Sequence, residues 1–275
     1  MMMNVELAET AVSAALQTKW VGRTYRYLAQ IPSTNTLLRE MVMTKTGVPL
    51  PHGMVVLTDY QHAGRGRMAR RWEAPHGTSL LFSLFLRPDW PAAQATWLTM
   101  IAALAVAEAV EQVVPQPVGV KWPNDVIINE DGTWRKVSGL LLEGDMDENG
   151  RLAWAILGIG INVNVLPEQL PEAVTPPTSL LMAAGHPVSR LSLLVDLLAR
   201  LERYYETAVN GQSPQPAWNR RLVTIGQPVM VSQVENGKIV RGIAEGTDEW
   251  GQLLVRDGAG TLHQVAAGDV TLRPS

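Results

Sequence analysis

Apolar residues recur every three or four positions over Val5, Leu7, Ala8, Ala11, Val12, Ala15 and Leu16, which predicts a short amphipathic helix. Tyr25 to Ala29 reads as a strand that Pro32 ends. Ser33-Thr34-Asn35 then offers three N-cap residues ahead of a buried stripe at Leu37, Leu38, Met41 and Val42. Met54 to Tyr60 is a second strand. Ser79 to Arg87 is apolar on both faces, as an interior strand should be. Ala92 to Val114, rich in Ala and Leu, predicts a long helix that packs across the sheet and stops at Pro115 and Pro117. Val118 to Ile128 reads as strand, Trp-Pro-Asn-Asp turn and strand. Asp131-Gly132 signals a hairpin before Leu140 to Glu143, and Asp147 to Gly150 another before Leu152 to Asn164. After the proline-rich stretch 167–177, helices are expected at Thr178 to Ala184 and Leu191 to Val209.

From Ile225 the texture changes to short strands separated by Gly-bearing turns such as Asn236-Gly237 and Asp257-Gly258, the mark of a small β-barrel. The expected organisation is a larger α/β domain over 1–222 and a small β domain over 223–275.

Composition narrows the class. The chain has 275 residues, 46% of them apolar, enough for a sizeable core. It has no cysteine, which excludes disulfides, thiolate metal sites and thiol catalysis. The nearly apolar run Trp97 to Ala107 stops at Glu108, short of the roughly 18 to 20 residues a membrane span needs. The N-terminus lacks the basic region and apolar core of a secretory signal, so no membrane partner and a cytoplasmic location are the expectation. A net charge of -3 argues against a broad nucleic-acid-binding surface.

Against that acidic balance, Gly64-Arg65-Gly66-Arg67-Met68-Ala69-Arg70-Arg71-Trp72 is a local cationic excess. Its glycines allow sharp or positive-φ backbone, and its guanidinium groups are forked donors charged at any working pH. This is a loop able to close over an anion: nucleic acid, free phosphate or a small carboxylate. The second dense stretch is Lys121-Trp122-Pro123-Asn124-Asp125, a cation, an amide and a carboxylate at one strand end. Ser33 to Asn35 could merely cap a helix, or could present N–H and hydroxyl groups to a polar ligand. Gly158 and Gly160, inside a strand pattern, relieve crowding or mark close approach of a ligand. A sheet gathering these groups with Gln61, Lys136 and Gly139 on one edge suits a ligand that carries both a phosphate ester and a carboxylate. No phosphate-binding P-loop, dinucleotide turn, paired metal-binding histidines or Gly-x-Ser-x-Gly elbow is present.

The arginine loop and the Lys121 to Asp125 turn, with Ser33-Thr34-Asn35 upstream and Gly158-Ile159-Gly160-Ile161-Asn162 downstream, resemble the biotin protein ligases over nearly the whole chain and in the same order. The resemblance implies an α/β fold. A mixed-sheet catalytic domain of the class II aminoacyl-tRNA synthetase and biotin ligase type is followed by a small C-terminal SH3-like β-barrel. It implies a two-step reaction: biotin and ATP give biotinyl-adenylate, and biotin is then transferred to one lysine of a biotin carboxyl carrier protein, usually that of acetyl-CoA carboxylase.

By the same resemblance Ser33, Thr34 and Gln61 would bind the ureido ring of biotin. Arg65 and Arg67 would fold over the adenylate. Lys136 would contact the biotin carboxylate and α-phosphate, while Asn124 and Asp125 would serve nucleotide, Mg²⁺ and the incoming lysine. Gly139 and Gly160 would form close pocket walls, and Arg273 would reach back to ATP. Arg67, Lys136, Asp125 and Lys121 form the expected catalytic set. Asn35, Gly64, Gly66, Arg70, Trp72 and Asn162 complete the binding set, with no resident protein-held metal.

This chain departs from the pattern at several points. Only 32 residues precede Ser33, too few for the winged helix-turn-helix of members that also repress transcription, so a ligase without DNA binding is expected. His62 replaces a less basic polar residue, Met68-Ala69 makes the loop less glycine-rich, and the 130–134 hairpin lengthens the approach to Lys136. A lipoate-type ligase of the same fold would carry Gly-Gly-Gly in place of the arginines. A nucleic-acid-binding regulator would need a second basic element. Monomer and sheet-edge homodimer both remain open.

Overall fold

The computed structural model describes residues 5–44, 49–233, 239–266 and 268–272. Arg273 and the Asn236-Gly237 turn lie outside the described residues. The elements run α1 (Glu9–Ala15), β1 (Tyr25–Leu28), α2 (Thr34–Met43), β2 (Val55–Thr58), β3 (Ser79–Leu86), α3 (Ala95–Glu111), β4 (Val118–Lys121), β5 (Asp125–Glu130), β6 (Thr133–Met146) and β7 (Leu152–Asn162). Three helices follow, α4 (Leu180–Ala184), α5 (Arg190–Val209) and α6 (Gln215–Arg221). The strands β8 (Pro228–Gln233), β9 (Ile239–Thr247), β10 (Leu253–Arg256), β11 (Leu262–Val265) and β12 (Gly268–Leu272) close the chain.

The first seven strands form one mixed sheet in the order β1-β2-β3-β7-β6-β5-β4. Only β1 and β2 run parallel; every other pairing is antiparallel. Strand β3 is buried throughout, as its continuous apolar run requires. Its Leu80, Phe82, Leu84 and Leu86 face the main core under α3 and α5. Its Phe85 faces the opposite side, where Leu38 of α2 packs with Val56 and Ile156. The sheet is therefore covered on both faces, and the single turn between β1 and α2 places the start of α2 beside β3.

Helix α3 is buried on nearly every side. Together with the preceding 3-10 turn it forms a stretch, Ala92–Glu111, that is long and apolar enough to cross a bilayer, the one such helix among the described residues. Here its apolar surface is taken up by the sheet, α5 and α6. Strands β8 to β12 make a separate five-stranded antiparallel sheet in the order β11-β10-β9-β8-β12. Its inward residues Val229, Val231, Val240, Ala244, Leu253 and Val255 join the same core cluster as α3.

Some elements differ from expectation. The N-terminal helix is two pieces, a 3-10 turn at Val5–Leu7 and α1, because Ala8 adopts an extended backbone as the α1 cap. The segment before Leu140 is part of one long strand, β6, so Lys136 and Gly139 lie within the sheet and not in an approach to it. Helix α6 was not expected at all.

Candidate active site

The site lies on the α2 face of the mixed sheet, and its floor follows from strand register. Gly160 of β7 pairs with Leu81 on one side and Gly139 of β6 on the other, and Gly139 pairs with Asp125 of β5. Leu81, Gly160, Gly139 and Asp125 thus form one row across four strands. With no side chain on the two central residues, the row is a trough that ends at a carboxylate. The indole of Trp72 occupies it: a Cβ on Gly160 would come 2.6 Å from Trp72 Cε2, and one on Gly139 2.7 Å from Trp72 Cζ3. The next row, Ser83–Gly158–Leu141, has the same logic, since a Cβ on Gly158 would lie 2.4 Å from Asn35 Oδ1. Of the two readings of these strand glycines, close approach describes what the side chains do.

At one end of the trough, Ser33 is the α2 N-cap and accepts a long bond from the Thr36 N–H. The Gln61 amide oxygen accepts from the Thr34 backbone N–H at 2.8 Å and its hydroxyl at 3.2 Å. Ser33, Thr34 and Asn35 are all buried, and Thr34 and Asn35 are close to Ser83 of β3 at 2.6 and 2.5 Å. This end offers neutral donors and acceptors.

The other end is charged. Lys136 Nζ sits 2.7 Å from Asp125 Oδ1 and 5.4 Å from the Trp72 ring centroid. Asn124 donates from Nδ2 to the Leu140 carbonyl at 2.7 Å, which turns its Oδ1 outward to accept from Arg67 Nη1 at 3.1 Å. Lys121 donates to the Thr175 hydroxyl at 2.7 Å, tying it to the proline-rich connection. The turn that carries Asn124 is fixed from behind by the Trp122 side chain, 2% exposed, whose Nε1 donates to the Gly251 carbonyl at 2.9 Å. The Trp122–Pro123 peptide is cis.

The arginine loop is a tight hairpin. Arg65 bridges Arg71, and the Gly66 N–H donates to the Arg70 carbonyl at 2.8 Å. The loop's glycines would allow sharp or positive-φ backbone, but it is Met68 (φ 55°) and Ala69 (φ 59°) that hold the left-handed turn. Gly64 serves instead for close approach, because a Cβ there would fall 2.2 Å from the Trp72 carbonyl oxygen.

Ser33, Thr34, Asn35, Gln61, Arg65, Gly66, Arg67, Arg70, Trp72, Lys121, Asn124, Asp125, Lys136, Gly139, Gly160 and Asn162 line one cavity of about 620 Å³. Gly64 sits at the hairpin base outside it, and Asn162 is held by the Thr178 carbonyl at 3.0 Å. Sequence reasoning missed Glu73, Thr175 and Val270, which also line the cavity, and Ser83 beneath it. Ser83 had a signal: it is a hydroxyl in an otherwise apolar interior strand. Among the described residues no cluster of three His, Asp or Glu side chains is built to hold a metal.

The chain is similar to known proteins along most of its length. Residues 27–162 match the biotin/lipoate A/B protein ligase family, and residues 224–273 match the biotin protein ligase C terminal domain. The bifunctional ligase/repressor BirA of Bacillus subtilis is 33% identical over 270 residues, covering 97% of this chain and 79% of its own length. A biotin--[acetyl-CoA-carboxylase] ligase of Paracoccus denitrificans is 35% identical over 241 residues, covering 85% of this chain and 94% of its own. The biotin protein ligase of Aquifex aeolicus, solved in complex with biotin and ATP, superposes with a TM-score of 0.74 at 27% identity over 92% of this chain and 100% of that one. Two matched segments, near full-length similarity and a shared fold make this chain a member of the biotin protein ligases.

Proposed function

We propose that this protein activates biotin with ATP and transfers it to one lysine of a biotin carboxyl carrier protein, that of acetyl-CoA carboxylase. In the first step a biotin carboxylate oxygen attacks the α-phosphorus. A C(=O)–O–P anhydride forms, the α–β P–O bond breaks and pyrophosphate leaves. In the second step the lysine amine attacks the acyl carbon, the amide forms and AMP departs with the anhydride electrons. The observation that carries the reading is the joining of two sequence-distant motifs in one cavity by the Arg67–Asn124 contact of 3.1 Å.

Each end of the trough suits one part of this chemistry. The neutral set of Ser33, Thr34 and Gln61 matches a ureido head, and the glycine row with Trp72 matches a flat apolar body. Lys136, Arg67 and Lys121 reduce the repulsion between a carboxylate and a triphosphate, while Arg65, paired with Glu143, belongs to the hairpin that folds over them. Positioning them in line contributes about 7 to 11 kcal/mol of the barrier reduction, and the cations stabilise charge on the transferring phosphoryl group. Asp125, ion-paired with Lys136, stands where the incoming lysine must lose a proton. Its lone carboxylate beside Asn124 also fits Mg²⁺ brought in on the nucleotide and held mostly by phosphate and water. The arginine hairpin covers the anhydride against water. Arg273 is assigned to ATP by the resemblance alone.

In the same reading the mixed-sheet unit, 1–222, is of the class II aminoacyl-tRNA synthetase type. The five-stranded sheet that follows, 223–275, is an SH3-like barrel, and the protein works in the cytoplasm as a monomer or sheet-edge homodimer. Biotin-dependent exchange of pyrophosphate into ATP tests the function. Exchange with biotin and none with lipoate is expected; the opposite result rejects it in favour of a lipoate ligase.

A further inference from the structure

Glu143 has no part in the chemistry above, yet it joins two pieces of the site. It lies on β6 opposite Ile156, beyond the point where β5 stops pairing with β6. Its carboxylate takes Arg65 Nη1 on both oxygens, at 2.8 and 3.0 Å, and accepts from Asn35 Nδ2 at 2.8 Å. The Glu143 side chain is 17% exposed and that of Arg65 41%.

An ionised carboxylate can only accept hydrogen bonds, so it fixes which way round the Asn35 amide stands. The Asn35 nitrogen faces Glu143 and its oxygen faces the Ser83 hydroxyl, in the space that Gly158 leaves open. Ser83 has one proton; if the amide oxygen takes it, the Thr34 hydroxyl turns its own single proton from the 3.2 Å contact with Gln61 to the 2.6 Å contact with Ser83. A hydrogen-bonded chain therefore runs from Arg65 in the hairpin through Glu143, Asn35 and Ser83 to the first turn of α2.

Arg65 and Arg67 consequently differ. Arg65 is tied to protein outside the cavity, whereas Arg67 reaches inward to Asn124. We propose that Glu143 is a positioning residue: by holding Arg65 it fastens the arginine hairpin to the start of α2, and so sets how long the acyl-adenylate is retained without touching it. This rests on the reading of the hairpin as the cover of that intermediate.

The test is a double-mutant cycle on escape of biotinyl-adenylate. Protein loaded with labelled biotin and ATP is chased with unlabelled biotin for the parent, Glu143→Ala, Arg65→Ala, the double variant and Glu143→Gln. Each alanine variant should release about ten-fold faster, the loss expected from one charge-assisted hydrogen bond. The double variant should be no faster than either single one, and Glu143→Gln, which keeps an accepting oxygen, should fall between. A purely structural role lowers the thermal midpoint and gives effects that multiply in the double variant. Unchanged release in Glu143→Ala, or multiplying effects, overturns the proposal. If Glu143→Ala does not fold, the same cycle is run with Glu143→Gln under the same criterion. A parent protein without biotin-dependent pyrophosphate exchange rejects the function itself, whereas normal exchange with unaltered release rejects only the role of Glu143.

Discussion

Trp72 and the two glycines beneath it set the tightest constraint on any single residue of the site. Replacing Gly160 with alanine places a methyl group 2.6 Å from the indole, so the ring must lift or tilt. We expect the KM for biotin to rise about ten-fold or more, the equivalent of about 1.4 kcal/mol, with the thermal midpoint little changed. Biotin saturation curves for Gly160→Ala and Gly160→Val decide it, and unchanged values in both would remove the trough from the binding site. Arg67→Gly is the second residue-scale test. It removes the inward-facing guanidinium from Asn124, and the adenylate should leak and label lysines of bystander proteins, visible by streptavidin blotting. Normal selectivity would count against Arg67 as part of the cover. Most residues of this cavity were legible in the sequence because its motifs put unusual chemistry in short runs. Glu143 was not, because an acid at the polar end of a strand reads as a solvated side chain, and only the register of β6 against β7 brings it to Arg65.

Helices and strands were legible where burial leaves a continuous apolar run, as in β3 and α3, or an apolar stripe, as in α5. They were obscure where a single contact decides. Helix α6 has seven residues with one buried anchor, Trp218, too short for a periodic signal. The break at Ala8 comes from local backbone that no pattern of apolar positions reveals. The attachment of α5 gives a prediction at this scale. The Glu202 carboxylate accepts from the Lys19, Trp20 and Val21 backbone N–H groups at 2.8 to 3.0 Å, anchoring the segment before β1. Burial alone would raise its pKa, but those donors outweigh it and hold the group below the usual carboxylate range. Glu108, between α3 and α5, is likewise penalised by burial and held low by Tyr204, Arg200 and Arg203. Because both are depressed in the folded state, their stabilisation is complete above the ordinary carboxylate range and is lost as pH falls through the folded values. Glu202→Gln should cost about 1 to 3 kcal/mol at neutral pH and flatten the acid limb of stability. Thermal melts from pH 7 to 3 measure both effects, and a parallel acid limb in the variant would contradict the assignment.

Across the whole molecule, the change in sequence texture from Ile225 falls just before β8, the first strand of a second sheet that has no strand pairing with the first among the described residues. It conceals that they share one core. Trp122, Trp218, Met100 and Gly251 meet where the second sheet packs on α3 and α6. A chain ending at 222 should therefore lose fixed tertiary packing, seen as collapse of near-UV circular dichroism, in place of a smaller active enzyme. Native-like spectra and retained pyrophosphate exchange would refute this. Gly251 is the sharpest point of the junction: its φ is +79° and a Cβ would lie 2.4 Å from Met100 Cε. Gly251→Val should destabilise by about 1 to 3 kcal/mol and raise the KM for ATP by displacing the Trp122 turn. The same tether bears on synthesis. The Trp122 backbone N–H is held by the Thr224 hydroxyl and its indole by the Gly251 carbonyl, residues translated 102 and 129 positions later. A nascent chain that has already exposed its arginine hairpin, Lys121 and Lys136 still lacks the clamp on Asn124 and Asp125. The clamp on Asn124 and Asp125 therefore forms only after Thr224 and Gly251 have been made, which couples completion of the site to synthesis of the second sheet.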